Sequence, residues 1–246
     1  MVATATRLLE RVGYTLVPTW RLHDRALAQH LGKLLKQFEV DCVIDIGAND
    51  GGYVRFLRAE VGYDGLILSF EPLPALAAKC RAARDPHWQV FEYACGTEDS
   101  ETEINVAAYS QFSSLLPTVA SPPEAFTDMM TIRHRETVQL RRLDGLLPEL
   151  QRLNGYKRPY LKVDTQGFDL AVLEGAGNLL EAMIAVQTEL SFCPIYQGMP
   201  GWRTVLDVLE AKRFSVSSMF AISVDASLRA IEFDCILIND RYVTNT

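Results

Sequence analysis

Residues 43–53, VIDIGANDGGY, join a short apolar run to a cluster of small and turn-prone residues. An apolar run of this length is typical of a buried strand, and the glycines after it allow a tight turn into a helix. Similar runs recur between helical stretches: CVIDI, LILSF, WQVFEYA, YLKVD, AVQTEL and CILIN. This alternation predicts an α/β fold with a mostly parallel, doubly wound sheet. The late segments FSVSSMFAISVD and IEFDCILIND predict an antiparallel pair that closes the sheet.

The chain of 246 residues is long enough for one large domain with an extension. Apolar residues at helical spacing predict a helix over residues 25–37, so residues 1–39 are interpreted as an N-terminal helical extension and a candidate homodimer interface. Residues 40–246 form the predicted main domain. Residues 97–158 are longer than a simple connection and contain the strand-like segments TEINVAAYS and ETVQLRR, which predict an insertion with a hairpin or flap.

Charge and composition exclude several classes of function. The net charge of −7 gives no general attraction to nucleic acid. No run approaches the roughly 18 apolar residues of a spanning helix, so no stable membrane insertion is expected. The five cysteines include no CxxC pair, which indicates reduced thiols and a cytoplasmic protein.

The glycine spacing decides between two ligands. A dinucleotide-binding loop has the pattern G-x-G-x-x-G, but here Gly47 and Gly51 are separated by three residues and Asn49 replaces the middle glycine. A nicotinamide oxidoreductase therefore does not fit. Asp45, at the end of the apolar run, would repel a diphosphate but favour a ligand that carries an ammonium and a sulfonium. S-adenosylmethionine is such a ligand, and we expect it to lie against the backbone of residues Gly47, Ala48, Asn49 and Gly51.

The next two strand ends extend the predicted cofactor site. Glu71 ends the strand LILSF and can accept hydrogen bonds from both hydroxyls of an adenosine ribose, and Pro72 ends that strand. Ala94 and Cys95 are small and would leave a flat slot for adenine. The alternative is that Asp45 and Glu71 are helix caps or surface acids, and that the small residues serve only close packing.

These segments resemble the FkbM-type S-adenosylmethionine-dependent methyltransferases over residues 40–239. VIDIGANDGGY is similar to the first cofactor motif of that family, FEP to its ribose-binding acid, SSLLP (residues 113–117) to its serine-leucine element, LRRLDGLL to the segment before its fourth strand, and YLKVDTQGFDLAVLEGA to its most specific motif. The resemblance implies a Rossmann-like class I methyltransferase that makes O-methyl ethers on sugars, glycolipids or polyketide-type alcohols. The chain departs from the family pattern at Gln166, where a carboxylate is common.

Methyl transfer to a hydroxyl requires an oriented acceptor and a group that takes the proton. Asp164, at the end of the fourth strand, is the first catalytic candidate because open α/β sheets bind ligands at this edge. Glu189, at the end of the fifth strand, is the second. The alternative for Asp164 is a cap on the helix that starts near Phe168.

The acceptor is predicted to contact Ser114, His134 and Gln166. His134 is a weaker candidate, since a histidine in a charged stretch is more often solvated than catalytic. The surrounding basic stretch could bind a phosphate or carboxylate of the acceptor, and its alternative is a solvated face; it contains Arg133, Arg135, Arg141 and Arg142. Asp164 and Asp169 are hard oxygen ligands, but with Gln166 between them the acid count is low, and no metal is predicted.

Together these residues predict an S-adenosylmethionine-dependent O-methyltransferase that acts on a small-molecule or glycan acceptor. A non-catalytic cofactor-binding or scaffolding protein is the alternative, and Gln166 at an acidic position is the feature that favours it.

Overall fold

The structure is a computed structural model and describes residues 22–243. Its helices and strands are, in chain order, α1 (Leu22–Gln37), β1 (Cys42–Ile46), α2 (Gly52–Phe56), β2 (Leu66–Phe70), α3 (Pro74–Arg81), β3 (Trp88–Phe91), β4 (Ala94–Cys95), β5 (Ser100–Ala107), β6 (Ile132–Arg141), α4 (Leu143–Asn154), β7 (Pro159–Val163), α5 (Asp169–Gly175), β8 (Ala185–Ser191), α6 (Trp202–Ala211), β9 (Phe214–Val224) and β10 (Ala230–Asn239).

The main sheet has seven strands in the order β3-β2-β1-β7-β8-β10-β9. The strands β3, β2, β1, β7 and β8 run parallel, and β10 pairs antiparallel with both β8 and β9. Every residue of β1 and of β7 is buried, as expected for parallel strands that are covered on both faces. The predicted class I fold with an antiparallel C-terminal strand is confirmed.

Helix α1 packs on the chain's own core. Leu27, Leu31, Leu34 and Leu35 are buried in a cluster with residues of α2, β7, β8 and β10. The apolar face of α1 therefore covers one face of the main sheet. The first 21 residues of the predicted extension lie outside the described residues, and the homodimer through this helix stays a prediction. Within residues 22–243, none of the helices combines the length and apolarity that crossing a membrane requires.

The predicted third strand, WQVFEYACG, is divided in the structure. β3 ends at Phe91 in the main sheet, and the short β4 pairs with β6 in a second sheet of order β4-β6-β5. β5 and β6 form an antiparallel pair within the segment that was predicted as an insertion. The loop between them folds back to the carboxyl ends of the main strands, where Ser110 donates a 2.8 Å hydrogen bond to the side chain of Asn49.

Candidate active site

The register of the sheet places polar side chains in two rows on one face. Asp45 is paired with Ser69 on one side and Lys162 on the other, and Lys162 is paired with Gln187. Side chains two residues further along a strand point to the same face. The second row, nearer the carboxyl edge, therefore contains Glu71, Gly47, Asp164 and Glu189. This edge is where open α/β sheets bind ligands.

A cleft with about 570 Å³ of empty space opens at this edge. We call it the main cleft, and its lining includes six of the residues predicted to bind the cofactor: Gly47, Asn49, Glu71, Pro72, Ala94 and Cys95. Apolar side chains, among them Phe70 and Leu115, supply much of the remaining wall. This mixture of an apolar wall with few polar groups is typical of small-molecule sites.

Glu71 is a buried acid of the main cleft, with 5% of its surface exposed. Its Oε2 accepts a 2.7 Å hydrogen bond from the backbone N–H of Asn49, and its Oε1 accepts one of 2.9 Å from the N–H of Leu73. Burial raises the pKa of Glu71 to about 7, although these two hydrogen bonds favour the charged form. The carboxyl group is thus fixed between two loops with lone pairs left for ligand hydroxyls.

At position 47 the backbone conformation and the surrounding space allow only glycine. Its φ is +85°, and an added Cβ would lie 1.9 Å from the backbone oxygen of Asp164. The backbone is therefore bare at the point where the ends of β1 and β7 meet. A bare turn beside a buried carboxyl group fits the nucleoside and amino-acid parts of S-adenosylmethionine.

A second cleft adjoins the main one and shares Gly47, Asn49 and Asp164 with it. It has about 1080 Å³ of empty space. Its lining includes Ala48 and the polar residues Asp24, Asp50, Gln111, Lys162 and Asp234. Asp164 thus lies at the junction of the two clefts.

The structure contradicts the prediction that Asp45 faces the positive charge of a ligand. Asp45 has no exposed surface; it accepts a 2.9 Å hydrogen bond from Ser69 Oγ, and its Oδ1 lies 3.4 Å from Lys162 Nζ. Its cation is therefore a lysine of the chain itself. Removal from water raises the pKa of Asp45, and Lys162 and Ser69 act in the opposite direction.

Gly51 lines neither cleft, although its neighbours Asp50 and Gly52 line the second one. Its φ is +83°, and an added Cβ would lie 2.5 Å from Cη2 of Trp88. The glycine is therefore required by the turn into α2 and by the packing of the Trp88 indole, and its contact with the cofactor stays a prediction.

Asp164 is held by both of its carboxylate oxygens. Oδ2 accepts a 3.1 Å hydrogen bond from Lys162 Nζ, and Oδ1 accepts one of 3.0 Å from Gln166 Nε2. The side chain remains 38% exposed. The alternative of a helix cap is wrong, because α5 begins at Asp169 after a cap residue, Phe168, without a side-chain cap.

Gln166 connects the two candidate catalytic acids. Its Nε2 also donates a 3.2 Å hydrogen bond to Glu189 Oε2, while its Oε1 accepts one of 3.0 Å from the Tyr196 hydroxyl. Burial, and then the charges of Asp164 and Glu232, raise the pKa of Glu189. Glu189 lines neither cleft, so Asp164 is the acid that a ligand would meet first.

Ser114 and His134 have different surroundings from those expected of acceptor contacts. Ser114 lines the main cleft, but its hydroxyl donates a 2.7 Å hydrogen bond to the backbone oxygen of Gln166 and accepts one from Leu116 N–H, which anchors the insertion. His134 is exposed on β6, 2.8 Å from Glu136, and lines neither cleft. The prediction that His134 contacts the acceptor is therefore not supported by its position.

The basic stretch is a solvated face with ion pairs. Three of its arginines face acids: Arg135 pairs with Glu103, Arg141 with Asp99 and Arg142 with Asp144. None of the four predicted arginines lines either cleft, so the alternative interpretation fits the structure.

Sequence reasoning overlooked Lys162 and Tyr196. The signal for Lys162 was its position two residues before Asp164 on the same strand, which places both side chains on one face. Tyr196 carries no such signal, because it lies on a loop. In the part of the chain that the structure describes, no three His, Cys, Asp or Glu side chains are grouped so that they could hold a metal ion, and the absence of a metal stays a prediction.

Comparison with known proteins identifies the family. The sequence model of the methyltransferase FkbM domain matches residues 45–216. The chain belongs to the FkbM methyltransferase family. This FkbM chain is therefore an S-adenosylmethionine-dependent methyltransferase, and the predicted family and cofactor are confirmed.

Among the relatives of this FkbM chain, the 2-O-methyltransferase NoeI of Sinorhizobium fredii (strain NBRC 101917 / NGR234) is 26% identical over 209 residues, which cover 81% of this chain and 79% of NoeI. Methyltransferase FkbM from Methylobacillus flagellatus KT is 12% identical with a TM-score of 0.47; the match covers 81% of this chain but only 44% of that one. The O-methyltransferase from Bacillus cereus in complex with SAH is 14% identical with a TM-score of 0.45, over 97% of this chain and all (100%) of that one.

Proposed function

We propose that this FkbM-family protein is an O-methyltransferase that methylates a hydroxyl of a sugar, a glycolipid or a polyketide-type secondary metabolite. The observation that carries the proposal is the position of Asp164, a partly exposed carboxylate at the junction of the main cleft and a larger polar cleft. The likeness to a 2-O-methyltransferase supports an oxygen acceptor.

The residues divide into cofactor and acceptor groups. In this proposal the main cleft holds the nucleoside, with Glu71 as acceptor of the ribose hydroxyl hydrogen bonds and with Ala94 and Cys95 beside the adenine. The bare turn at Gly47 leaves room for the amino-acid part. When bound, S-adenosylmethionine supplies an electrophilic methyl group.

The second cleft is the proposed acceptor site. Its lining offers both donors and acceptors, which a molecule rich in hydroxyl groups requires. An acceptor hydroxyl that reaches the junction meets Asp164, whose carboxylate takes the hydroxyl proton. Because Lys162 and Gln166 fix this carboxylate, it needs no reorientation during the reaction.

The test is turnover by the wild-type protein and by Asp164→Asn, with a panel of glycans, glycolipids and polyketide alcohols as acceptors. We expect release of S-adenosylhomocysteine with at least one hydroxylated acceptor, and a kcat lower by about 10²-fold or more in the variant. Arg135→Gln on the exposed face of β6 is the control and is expected to retain wild-type turnover.

Two results would contradict the proposal. Wild-type kcat in Asp164→Asn would remove the assigned proton acceptor. Binding of S-adenosylhomocysteine without turnover of any acceptor in the panel would favour the non-catalytic cofactor-binding protein instead.

A further inference from the structure

A row of hydrogen-bonded polar side chains lies directly beneath the carboxylates of the site; Ser69, Asp45 and Lys162 are buried and Trp88 is half-buried. Trp88 Nε1 donates a 2.9 Å hydrogen bond to Ser69 Oγ, which donates one of 2.9 Å to Asp45 Oδ2. Lys162 Nζ lies 3.4 Å from Asp45 Oδ1 and donates to Asp164 Oδ2. We call Trp88, Ser69, Asp45 and Lys162 the buried row; they come from the neighbouring strands β3, β2, β1 and β7.

Stability alone does not account for this row. Asp45 has no exposed surface, and the side chain of Lys162 is 6% exposed. Burying an ion pair removes two charges from water, and apolar residues of similar volume are often as stable or more so. A function in the adjoining site would explain why these residues are present.

The surroundings of Lys162 keep it charged. Burial opposes the ammonium form, but Asp164 and then Asp45 outweigh it, and the pKa of Lys162 is raised. The ammonium also lies 5.0 Å from the centre of the Tyr53 ring, which favours a cation. A protonated lysine has no lone pair, so Lys162 donates hydrogen bonds and takes no proton from an acceptor.

We infer that Lys162, itself oriented by Asp45, Ser69 and Trp88, is a positioning residue that holds the Asp164 carboxylate at the junction of the two clefts. Lys162 fixes one oxygen of Asp164, and Gln166 fixes the other. A carboxylate has about four lone-pair sites, so acceptor sites remain for a ligand hydroxyl. The inference rests on the proposed function, which makes Asp164 the proton acceptor.

The test removes the Lys162 cation without leaving the Asp45 carboxylate as an unpaired buried charge. Lys162→Met alone leaves Asp45 as a buried charge without a cation, a change that is strongly destabilising. The double variant Asp45→Asn with Lys162→Met removes both charges of the buried pair and keeps Asp164. We expect it to fold and to bind S-adenosylhomocysteine with a Kd within about threefold of wild type, because neither residue lines the main cleft.

Two readouts distinguish positioning from a structural role. In crystal structures of wild type and the double variant, we expect the Asp164 carboxylate to move away from its wild-type position or to occupy several rotamers in the variant. With an acceptor that the wild type turns over, kcat is expected to fall by about 10²-fold while KM for S-adenosylmethionine stays within about threefold, since a misplacement of about 1 Å has an effect of that size.

The outcomes separate this inference from the proposed function. An unchanged Asp164 position in the double variant overturns the positioning role, and so does a wild-type kcat. If Asp164→Asn is inactive while the double variant is fully active, the proposed function stands and the positioning role falls. If Asp164→Asn is fully active, there is no proton acceptor to position and both are overturned.

Discussion

Replacing Glu71 by glutamine separates the affinity for the cofactor from the stability of the fold. The carboxylate has two acceptor oxygens and the amide has one, so the N–H of Asn49 or of Leu73 loses its hydrogen-bond partner. The ligand hydroxyls also lose a charged hydrogen-bond acceptor. Hydrogen bonds to charged groups contribute about 1.5–3 kcal/mol each. A loss of about 3 kcal/mol in binding corresponds to a Kd for S-adenosylhomocysteine that is roughly 150-fold higher.

At pH 8 the Glu71→Gln substitution has two opposite effects on the free energy of unfolding. A pKa raised from 4.5 to about 7 means that the ionised carboxyl is disfavoured in the folded protein by about 3 kcal/mol, and the neutral amide relieves this. The loss of one backbone hydrogen bond destabilises the folded protein by a similar amount. We therefore expect the free energy of unfolding of Glu71→Gln to stay within about 1 kcal/mol of wild type.

Isothermal titration calorimetry and chemical denaturation at pH 8 measure the two quantities. The matched control is Glu103→Gln on β5, an exposed carboxylate paired with Arg135 that lines neither cleft. It is expected to leave Kd unchanged. If Glu71→Gln raises Kd by less than about fivefold, the reasoning that places the ribose at this carboxyl group is refuted.

Three further predictions follow from the geometry. Because the pKa of Glu71 in the ligand-free protein is about 7 and hydroxyl donors favour the charged form, binding of S-adenosylhomocysteine at pH 6 should release up to about 0.9 proton and weaken as the pH falls below 7. Calorimetry in buffers of different ionisation enthalpy measures this release, and equal release by Glu71→Gln would contradict the prediction. Gly47→Ala places a Cβ 1.9 Å from the Asp164 backbone oxygen, so cofactor binding should be abolished in the same titration, and a wild-type Kd would contradict the described turn. Gly51→Ala should lower the thermal midpoint, because its Cβ would lie 2.5 Å from Trp88, with an expected loss of about 2 kcal/mol; an unchanged midpoint in calorimetric scans would refute that packing.

The sheet could be predicted from the sequence because its central strands are short, largely apolar and buried on both faces. Such runs separated by helices have few arrangements, and the handedness of their connections removes most of the alternatives. The carboxyl edge was predictable for the same reason, since parallel strands all end on one side. Glu71 and Asp164 could therefore be assigned to a common edge before their surroundings were known.

The depth of a side chain below that edge could not be predicted in the same way. Asp45 points to the same face as Asp164 but is paired with Lys162, one pleat further into the sheet, where it is fully buried. The sequence alone shows that an acidic residue follows an apolar run. The pairing of neighbouring strands decides whether the side chain of that residue reaches the cleft.

Contacts between segments that are distant in the chain could not be predicted from the sequence either. The hydroxyl of Tyr196, on the loop after β8, sets the orientation of the Gln166 amide, and Ser114 on the insertion holds the backbone of the same residue. These contacts depend on where long connections fold, which local residue patterns do not specify. The division of WQVFEYACG into β3 and β4 has the same cause, because β4 forms only where β6 is present to pair with it.

A crystal structure of the protein in complex with S-adenosylhomocysteine is the decisive test of the proposed cofactor site. We expect the ribose hydroxyls at Glu71, the adenine beside Ala94 and Cys95, and the sulfur near Gly47 at the junction with Asp164. A nucleoside bound elsewhere on the molecule, or bound in the main cleft without contact to the Glu71 carboxyl group, would contradict it.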